Sequence, residues 1–223
     1  MCQPFSEFNP QTVLQRRLTL RGVPLTVSLT RRGDSDYRHG AAFIRRRYWL
    51  SYGARPRITA PLLMVLKDPR GTCRAAAGLT SAAGRRLFLE QYLPLPLEHY
   101  IDALTAGAAQ RDRIIEISSL AADGSGSGRL LFIALTAALP HLHGDWIAFT
   151  ATREVRNIFN RLGLRPVSIA IAEPQRLQGG HDRWGRYYEH APEVMVGQVA
   201  PGYRSLIQAG WITDREAHHD VVA

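Results

Sequence analysis

Residues 113–135 read RIIEISSLAADGSGSGRLLFIAL, and they hold most of the information about the fold. A mostly apolar, β-branched run leads into three glycines that alternate with serines, and an apolar run typical of a helix follows at once. This order predicts a strand, a glycine turn and a helix. Glycine adopts positive φ and admits a ligand close to its backbone, and the first N–H groups of a helix lack internal partners. The stretch is therefore typical of a phosphate-binding turn.

The predicted phosphate-binding residues are Gly124, Gly126, Ser127, Gly128 and Arg129. The turn ends in Gly-Arg-Leu, whereas a Walker loop ends in Gly-Lys-Ser or Gly-Lys-Thr. Its glycines alternate in the middle of the chain, whereas a dinucleotide-binding fold has Gly-x-Gly-x-x-Gly after its first strand. Both of these classes are excluded by the spacing. The alternative is a flexible glycine–serine connector without a ligand.

Composition narrows the class of protein and its partners. The chain has 223 residues, a formal net charge of +9 and 45% hydrophobic residues, which is ordinary for a globular protein with a sizeable core. Two cysteines exclude a disulfide framework and a four-thiolate metal site, so we expect no metal. The positive charge favours anionic partners such as CoA or an acidic carrier protein. We predict no nucleic-acid binding, because no recognition motif is present and the arginines are spread along the chain.

The N-terminus lacks the apolar core of a signal peptide, because polar residues and prolines interrupt it. The longest mostly apolar run, 130–139, is far shorter than the roughly 20 residues that span a bilayer. We therefore predict a cytoplasmic protein without a transmembrane segment.

Alternation and turn signals predict an α/β domain over 21–202, with an N-terminal arm at 1–20 and a C-terminal tail at 203–223. The alternative for 1–20 is a loose first strand. The sheet is expected to be mixed and covered by helices on both faces. An amphipathic segment at 203–211 either packs on the domain or forms a homodimer. Strands are predicted at 24–30, 61–67, 74–80, 86–93, 113–122, 146–151, 167–172 and 193–199, and helices at 35–52, 96–106, 129–143 and 152–161.

Two features resemble the GNAT-type N-acyltransferases. The loop Asp123-x-x-Gly126-x-Gly128 is similar to their acyl-CoA loop, and the order of strands and helices matches theirs. The resemblance implies a mixed, largely antiparallel sheet that binds an acyl-CoA. Asp123 stands where the family has Arg or Gln. Phe159 stands where the family often has the tyrosine that protonates the departing thiolate, and Phe cannot donate a proton.

Other segments resemble two families of the same superfamily. Residues 116–121, EISSLA, are similar to the Glu-x-Ser-Arg-Phe/Leu strand of acyl-homoserine-lactone synthases, with Ser119 in place of Arg. Residues 86–93, 115–121, 149–152 and 184–188 resemble the thermostable hemolysin family. These resemblances imply an acyltransferase that moves an acyl group from acyl-CoA, or from the phosphopantetheine of an acyl carrier protein, to an amine or hydroxyl acceptor by direct attack. The alternative is a membrane-active, hemolysin-like protein without catalysis.

Three residues are the predicted catalytic groups. Glu116, on the strand before the turn, would take the acceptor's proton; the alternative is a structural ion pair with Arg113. Glu90 is the second candidate base, unless it faces solvent. Tyr187, or Tyr188 as the alternative, would replace the missing acid, unless the two side chains only pack against the sheet.

Four further residues are expected to contact the donor thioester. The backbone at Leu120 and Ala121 would stabilise the oxyanion. Thr150 and Asn157 would contact the pantetheine or CoA. The alternative for Asn157 is a plain position on a helix surface.

Overall fold

The computed structural model describes residues 14–20, 23–105, 107 and 109–212. Within these ranges the chain forms an eight-stranded sheet and five α-helices. The strands are β1 Leu14–Leu20, β2 Val23–Arg31, β3 Leu62–Lys67, β4 Cys73–Ser81, β5 Ile114–Ala122, β6 Trp146–Ala151, β7 Val167–Ile171 and β8 Glu193–Gln198. The helices are α1 Ser35–Tyr52, α2 Leu97–Leu104, α3 Ser125–Ala138, α4 Arg153–Leu162 and α5 Val199–Gln208.

The sheet is mixed and largely antiparallel, as predicted. Its strand order is β1-β2-β3-β4-β5-β6-β8-β7. Every neighbouring pair is antiparallel except β5 and β6, which run parallel and are connected through α3. The one parallel step therefore lies in the middle of the sheet, directly at the strand and helix that the glycine segment joins.

Helices cover both faces of the sheet because the side chains of the strands alternate between two cores. On β3, Leu63 and Val65 are buried in the same cluster as Ile44 of α1. Met64 is buried in the opposite cluster, which contains Leu131 of α3. The continuous apolar run of β3 thus reflects burial on both faces, and the predicted α/β fold class is confirmed.

Most predicted elements are confirmed to within a few residues. Gly163 ends α4 in the left-handed conformation, with φ of 71°. Residues 1–13 of the predicted arm and 213–223 of the predicted tail lie outside the described residues. α5 runs across position 202, and its Leu206 is fully buried in the core. The limits of the domain and self-association through 203–211 stay predictions.

The strand predicted at 86–93 is wrong. The segment instead contains a short 3-10 helix, Leu89–Tyr92. β4 is already paired with β3 on one side and β5 on the other, so no sheet edge is open there. The backbone N–H groups of the segment bond instead to nearby carbonyl oxygens and to the buried carboxylates of Glu90 and Glu116. The apolar alternation that suggested a strand comes from burial alone.

The positive φ expected in the glycine turn is also wrong. Gly124 is extended, with φ of 169°, and α3 begins at the next residue. Gly126 and Gly128 therefore belong to the first turn of the helix. Gly128 packs closely against α4, since a Cβ there would lie 3.1 Å from Cδ1 of Ile158 and that side chain would have to shift slightly.

Candidate active site

β5 and β6 separate halfway along their length. They pair from Ile114 and Trp146 to Ile117 and Phe149. Beyond that point, in the part of the chain described, the rest of β5 pairs only with β4 and the rest of β6 only with β8. Ser119 takes a positive φ of 53° where the register between β4 and β5 shifts, which is a β-bulge. The separation opens the sheet in front of the predicted phosphate-binding helix.

A cavity of about 470 Å³ lies at this opening, and we call it the main cavity. Four predicted site residues line it together: Glu116, Leu120, Thr150 and Tyr187. They come from β5, β6 and the segment before β8, so the fold brings together residues more than 70 positions apart in the chain. The cavity is of ordinary size for a site that binds a small molecule.

Glu116 is buried and has no cationic partner among the described residues. Its side chain is 4% exposed, and its two carboxylate oxygens each accept a backbone N–H, from Phe88 and Leu89, at 3.0 Å. Arg113 pairs with Asp145 instead, so the alternative of a Glu116–Arg113 ion pair is wrong. Burial raises the pKa of Glu116 to about 7, although the two N–H groups oppose the rise.

Glu90 is buried to the same degree but is not a lining residue of the main cavity. It is 3% exposed, so the alternative that it faces solvent is wrong. Its carboxylate accepts the N–H groups of Leu87 at 2.7 Å and Leu97 at 3.0 Å, and both terminal nitrogens of Arg111 at 2.8 and 2.7 Å. Burial alone would raise its pKa, but these hydrogen bonds, led by Arg111, hold the pKa of Glu90 below its usual value.

Aromatic side chains form one wall of the main cavity. We call Tyr48, Phe88, Tyr92, Trp184 and Tyr187 the aromatic wall. The Tyr187 ring centroid lies 5.3 Å from Trp184 and 6.0 Å from Tyr48. Burial, followed by the neighbouring tyrosines, raises the pKa of Tyr187 well above its usual value. Tyr187 therefore keeps its proton at neutral pH.

The aromatic wall is held by a close approach between two distant segments. Gly185 has φ of 48°, and a Cβ there would lie 2.2 Å from the carbonyl oxygen of Tyr52. The N–H of Arg186 donates to that same carbonyl at 2.8 Å. Because a side chain cannot fit at position 185, the glycine lets the segment with Trp184 and Tyr187 lie against the end of α1.

Phe159, at the family's acid position, belongs to the core. Its ring centroid lies 4.5 Å from Phe132 and 4.9 Å from Phe149, and it is not among the residues that line the main cavity. The aromatic side chain at this position therefore contributes to the packing of the core.

A second, smaller cavity of about 130 Å³ lies beside the start of α3. The predicted residues Leu120, Ala121 and Gly128 line this small cavity, and Leu120 also lines the main one. Arg47 of α1 lines it as well, and its Nε is buried without a hydrogen-bond partner among the described residues. A cationic group is thus available next to the helix N-terminus.

The remaining predicted residues lie near the start of α3 or on α4. Asp123 pairs with Nε of Arg74 at 2.8 Å and accepts the hydroxyl of Ser127 at 2.6 Å. Arg129 lies over the ring of Trp211, 5.8 Å from its centroid. A Cβ added at Gly126 would meet open space. Asn157 is exposed on α4 and lines neither cavity.

Three arginines that line the main cavity were missed by sequence reasoning, namely Arg57, Arg85 and Arg86. Arg85 and Arg86 lie at the start of the segment that was wrongly predicted as a strand, and nothing in the local pattern at Arg57 signals the cavity. Arg47, which lines the small cavity, belongs to the run Arg45–Arg47. That run is typical of a solvated helix face, and phosphate binding is the alternative interpretation.

Two kinds of feature are absent from the described part of the chain. No group of three His, Cys, Asp or Glu side chains is placed to hold a metal ion. None of the helices there combines the length and the apolar character that crossing a membrane requires.

Solved structures with this fold include enzymes that make acylated products. FeeM, an N-acyl amino acid synthase from uncultured soil microbes, is 13% identical, with a TM-score of 0.54 over 82% of this chain and 98% of its own. The acyl-homoserine-lactone synthase LasI is 13% identical, with a TM-score of 0.51 over 80% and 91%. TofI in an apo form is 16% identical, with a TM-score of 0.50 over 81% and 95%. The fold is therefore GNAT-like.

Sequence comparison adds the family. Among curated proteins, none matches this chain. The profile of the thermostable hemolysin family matches residues 30–203, which is well over half of the 223 residues. The match contains β3 to β8 and nearly all of the residues that line the two cavities. The chain belongs to the thermostable hemolysin family.

Proposed function

We propose that this protein is an acyltransferase that moves an acyl group from a CoA or acyl-carrier-protein thioester to an amine or hydroxyl acceptor. The observation that carries the proposal is the place of Glu116. It is a buried carboxylate with a pKa of about 7, and it lines a cavity where two parallel strands separate in front of a helix N-terminus. A group that titrates near neutral pH is suited to general base catalysis.

The donor's anionic arm fits the start of α3. The unpaired N–H groups of the first helical turn and the helix dipole favour a phosphate there. Arg47 adds a cation with a buried, unpartnered Nε, and Arg74 neutralises Asp123, which would otherwise repel the phosphate. The pantetheine arm would then pass Leu120, which borders both cavities, and bring the thioester to the main cavity.

The reaction is a direct attack. The nucleophilic nitrogen of the acceptor forms a bond to the thioester carbonyl carbon, and its proton passes to Glu116, directly or through water. The oxyanion that forms is stabilised by backbone N–H groups near Leu120 and Ala121, beside the bulge at Ser119. When the C–S bond breaks, the thiolate leaves with the electron pair. It then takes up a proton, so that an amide and a free thiol are released.

Tyr187 supplies the proton in this scheme. It lines the main cavity, and its raised pKa keeps the hydroxyl protonated at neutral pH, where it donates a hydrogen bond to the departing thiolate. Because the raised pKa also makes Tyr187 a weaker acid than a thiol, its proton passes to the sulfur only as the proton held by Glu116 reaches Tyr187 through solvent and replaces it. Glu90 acts differently, since its four hydrogen bonds hold the segment that carries Phe88 and Leu89 against Glu116.

The location and the small-molecule acceptor are part of the proposal. Donors of the CoA and carrier-protein class belong to the cytoplasm, so we place the enzyme there. The acceptor is a small molecule, because the main cavity of about 470 Å³ has room for one beside the thioester.

Thermal unfolding with donors tests the proposal. A thioester at about 100 times its dissociation constant should stabilise the protein by roughly 2.7 kcal/mol. Gly126→Asp should abolish this stabilisation, because it adds a negative charge at the start of α3 where a Cβ meets open space. Gly107→Asp, also in open space, is the matched control and should keep it. No stabilisation by CoA, by short or long acyl-CoAs, or by an acyl carrier protein would contradict the proposal.

One observation favours the second candidate, a membrane-active protein without catalysis. Trp49 and Leu50 are 51% and 59% exposed on α1, beside the exposed Arg45 and Arg46. Aromatic, apolar and basic side chains on one helix are typical of binding to an anionic membrane surface. Leakage of anionic vesicles by pure protein without thioester, lost in Trp49→Ser/Leu50→Ser, would support this function. Absence of leakage together with donor binding would favour the acyltransferase.

A further inference from the structure

The main cavity has an excess of positive charge. Arg57 lies between α1 and β3, and Arg85 and Arg86 follow β4, yet the three side chains line the same cavity. Among the lining residues in the described part of the chain, the one acidic side chain is Glu116, which is buried. The cavity therefore attracts an anion.

These three arginines do not pair with carboxylates of the described residues. Among the described residues, neither Arg57 nor Arg85 forms an ion pair, and Arg86 donates only to the backbone carbonyl of Glu90, at 3.1 Å. Nearby Arg111, by contrast, pairs with the carboxylate of Glu90. Arg111 thus belongs to a structural ion pair, whereas the charges of Arg57, Arg85 and Arg86 are available to a ligand in the main cavity.

The segment that carries Arg85 and Arg86 is fixed at several points. Arg111 donates to the carbonyl oxygen of Arg85 at 2.7 Å, and Glu116 accepts the N–H groups of Phe88 and Leu89. Arginines on an anchored backbone lose less entropy on binding, and the planar guanidinium matches carboxylate and phosphate oxygens in a bidentate geometry.

The donor does not account for these arginines. Its phosphates are assigned to the start of α3 and to Arg47 in the small cavity, on the other side of Leu120. Arg57, Arg85 and Arg86 are not among the residues that line the small cavity. A second anionic group is therefore needed in the main cavity, close to Glu116.

We propose that the acceptor is an amine that also carries an anionic group, a carboxylate or a phosphate, which Arg57, Arg85 and Arg86 bind. This rests on the acyltransferase function proposed above and specifies its acceptor. The anionic end lies against the arginines and the amine lies towards Glu116, which takes its proton. The acylated product keeps the anion and gains an acyl chain, so it is an anionic amphiphile.

Thiol release with paired acceptors tests the proposal. Phenylalanine is compared with phenylalaninamide, and O-phosphoethanolamine with ethanolamine, so that the two pairs distinguish carboxylate from phosphate. In at least one pair the amine that carries the anionic group should have a KM at least tenfold lower than the amine that lacks it. Arg57→Ala and Arg85→Ala should raise that KM at least tenfold, without changing the KM of the donor. The control Arg45→Ala removes an exposed arginine that lines neither cavity, and it should change nothing.

Binding without a donor separates this proposal from the acyltransferase function. Calorimetric titration of the same amines should show binding of the amine that carries the anionic group. Its affinity should be lost in Arg57→Ala and Arg85→Ala and kept in Arg45→Ala. That result supports the anion site even if no amine releases thiol. In that case the proposed acyl transfer is contradicted and the anion site is not. Equal KM values within both pairs, or equal affinities in the three variants, would overturn the anionic acceptor and leave the acyltransferase function standing.

Discussion

The surroundings of Glu116 and of Glu90 are two regions of one molecule that treat the same side chain in opposite ways. Both carboxylates are almost fully buried and both accept two backbone N–H groups. Only Glu90 also has a guanidinium, from Arg111. Accordingly the pKa of Glu90 is lowered, whereas that of Glu116 is raised to about 7. Burial with an ion pair fixes a charge in place, while burial without one leaves a group that exchanges protons at neutral pH.

The largest expected difference between the two carboxylates is in catalysis. Glu116→Gln should lower kcat/KM by roughly 10²- to 10⁴-fold, because the base is removed. In the wild type, kcat/KM should rise with pH through about 7, as Glu116 loses its proton, and this rise should vanish in the variant. Steady-state thiol release between pH 5 and 9 measures both effects.

Glu90→Gln is the matched control for this prediction. It should keep the rise through pH 7, because Glu116 remains, and should lower activity less than Glu116→Gln does. Donor-induced stabilisation that persists in Glu116→Gln would show that its site is folded. Wild-type activity in Glu116→Gln would exclude Glu116 as the base.

The second expected difference is in stability, and it concerns the ion pair. Arg111→Met should reduce the free energy of unfolding by about 3–5 kcal/mol, because it leaves the carboxylate of Glu90 buried without its cation. Urea denaturation at pH 7 measures this loss. The double variant Glu90→Gln/Arg111→Met should recover part of it. A loss below about 1 kcal/mol would mean that the pair behaves like an exposed surface salt bridge.

The third and smallest expected difference is the pH dependence of stability. Since the pKa of Glu116 rises on folding from 4.5 to about 7, its stabilising contribution is complete below pH 4.5 and is lost as the pH rises through about 7. The wild type should therefore lose roughly 3 kcal/mol relative to Glu116→Gln over this window. For Glu90, whose pKa is lowered, the contribution is present above pH 4.5 and is lost as the pH falls below it.

Unfolding free energies of the wild type and both Gln variants between pH 4 and 8 measure these trends. A flat difference between wild type and Glu116→Gln would contradict the raised pKa of Glu116.

Several parts of the fold could be predicted because they depend on neighbours in sequence. β3, β4 and β6 follow from apolar runs with turn residues between them, and Gly163 follows from the left-handed end of a helix. The strand that carries Glu116 and the helix after it were also predicted. The segment at 86–93 could not be, since its apolar alternation is equally compatible with a strand and with a buried 3-10 turn.

The candidate site was predicted in part for a related reason. Glu116, Leu120, Thr150 and Tyr187 were proposed from motifs, and the structure brings them to one cavity. The arginines of the main cavity, Arg57, Arg85 and Arg86, were missed because no local pattern distinguishes an arginine at a cavity from one in solvent. The roles of all these residues stay proposals, which the variants above test.

By itself, the sequence determined the mixed α/β class, because the periodicity of buried side chains encodes it. It also determined the strand–glycine–helix unit and the family of the chain, because local motifs encode them. Only the tertiary structure decided that Phe88 and Leu89 donate to a carboxylate on β5, 28 and 27 residues away. It also decided that Arg111, and not Arg113, neutralises a buried glutamate. The physical reason is that protonation and ligand binding depend on which charges and hydrogen-bond donors are neighbours in space, and three-dimensional packing alone sets those neighbours.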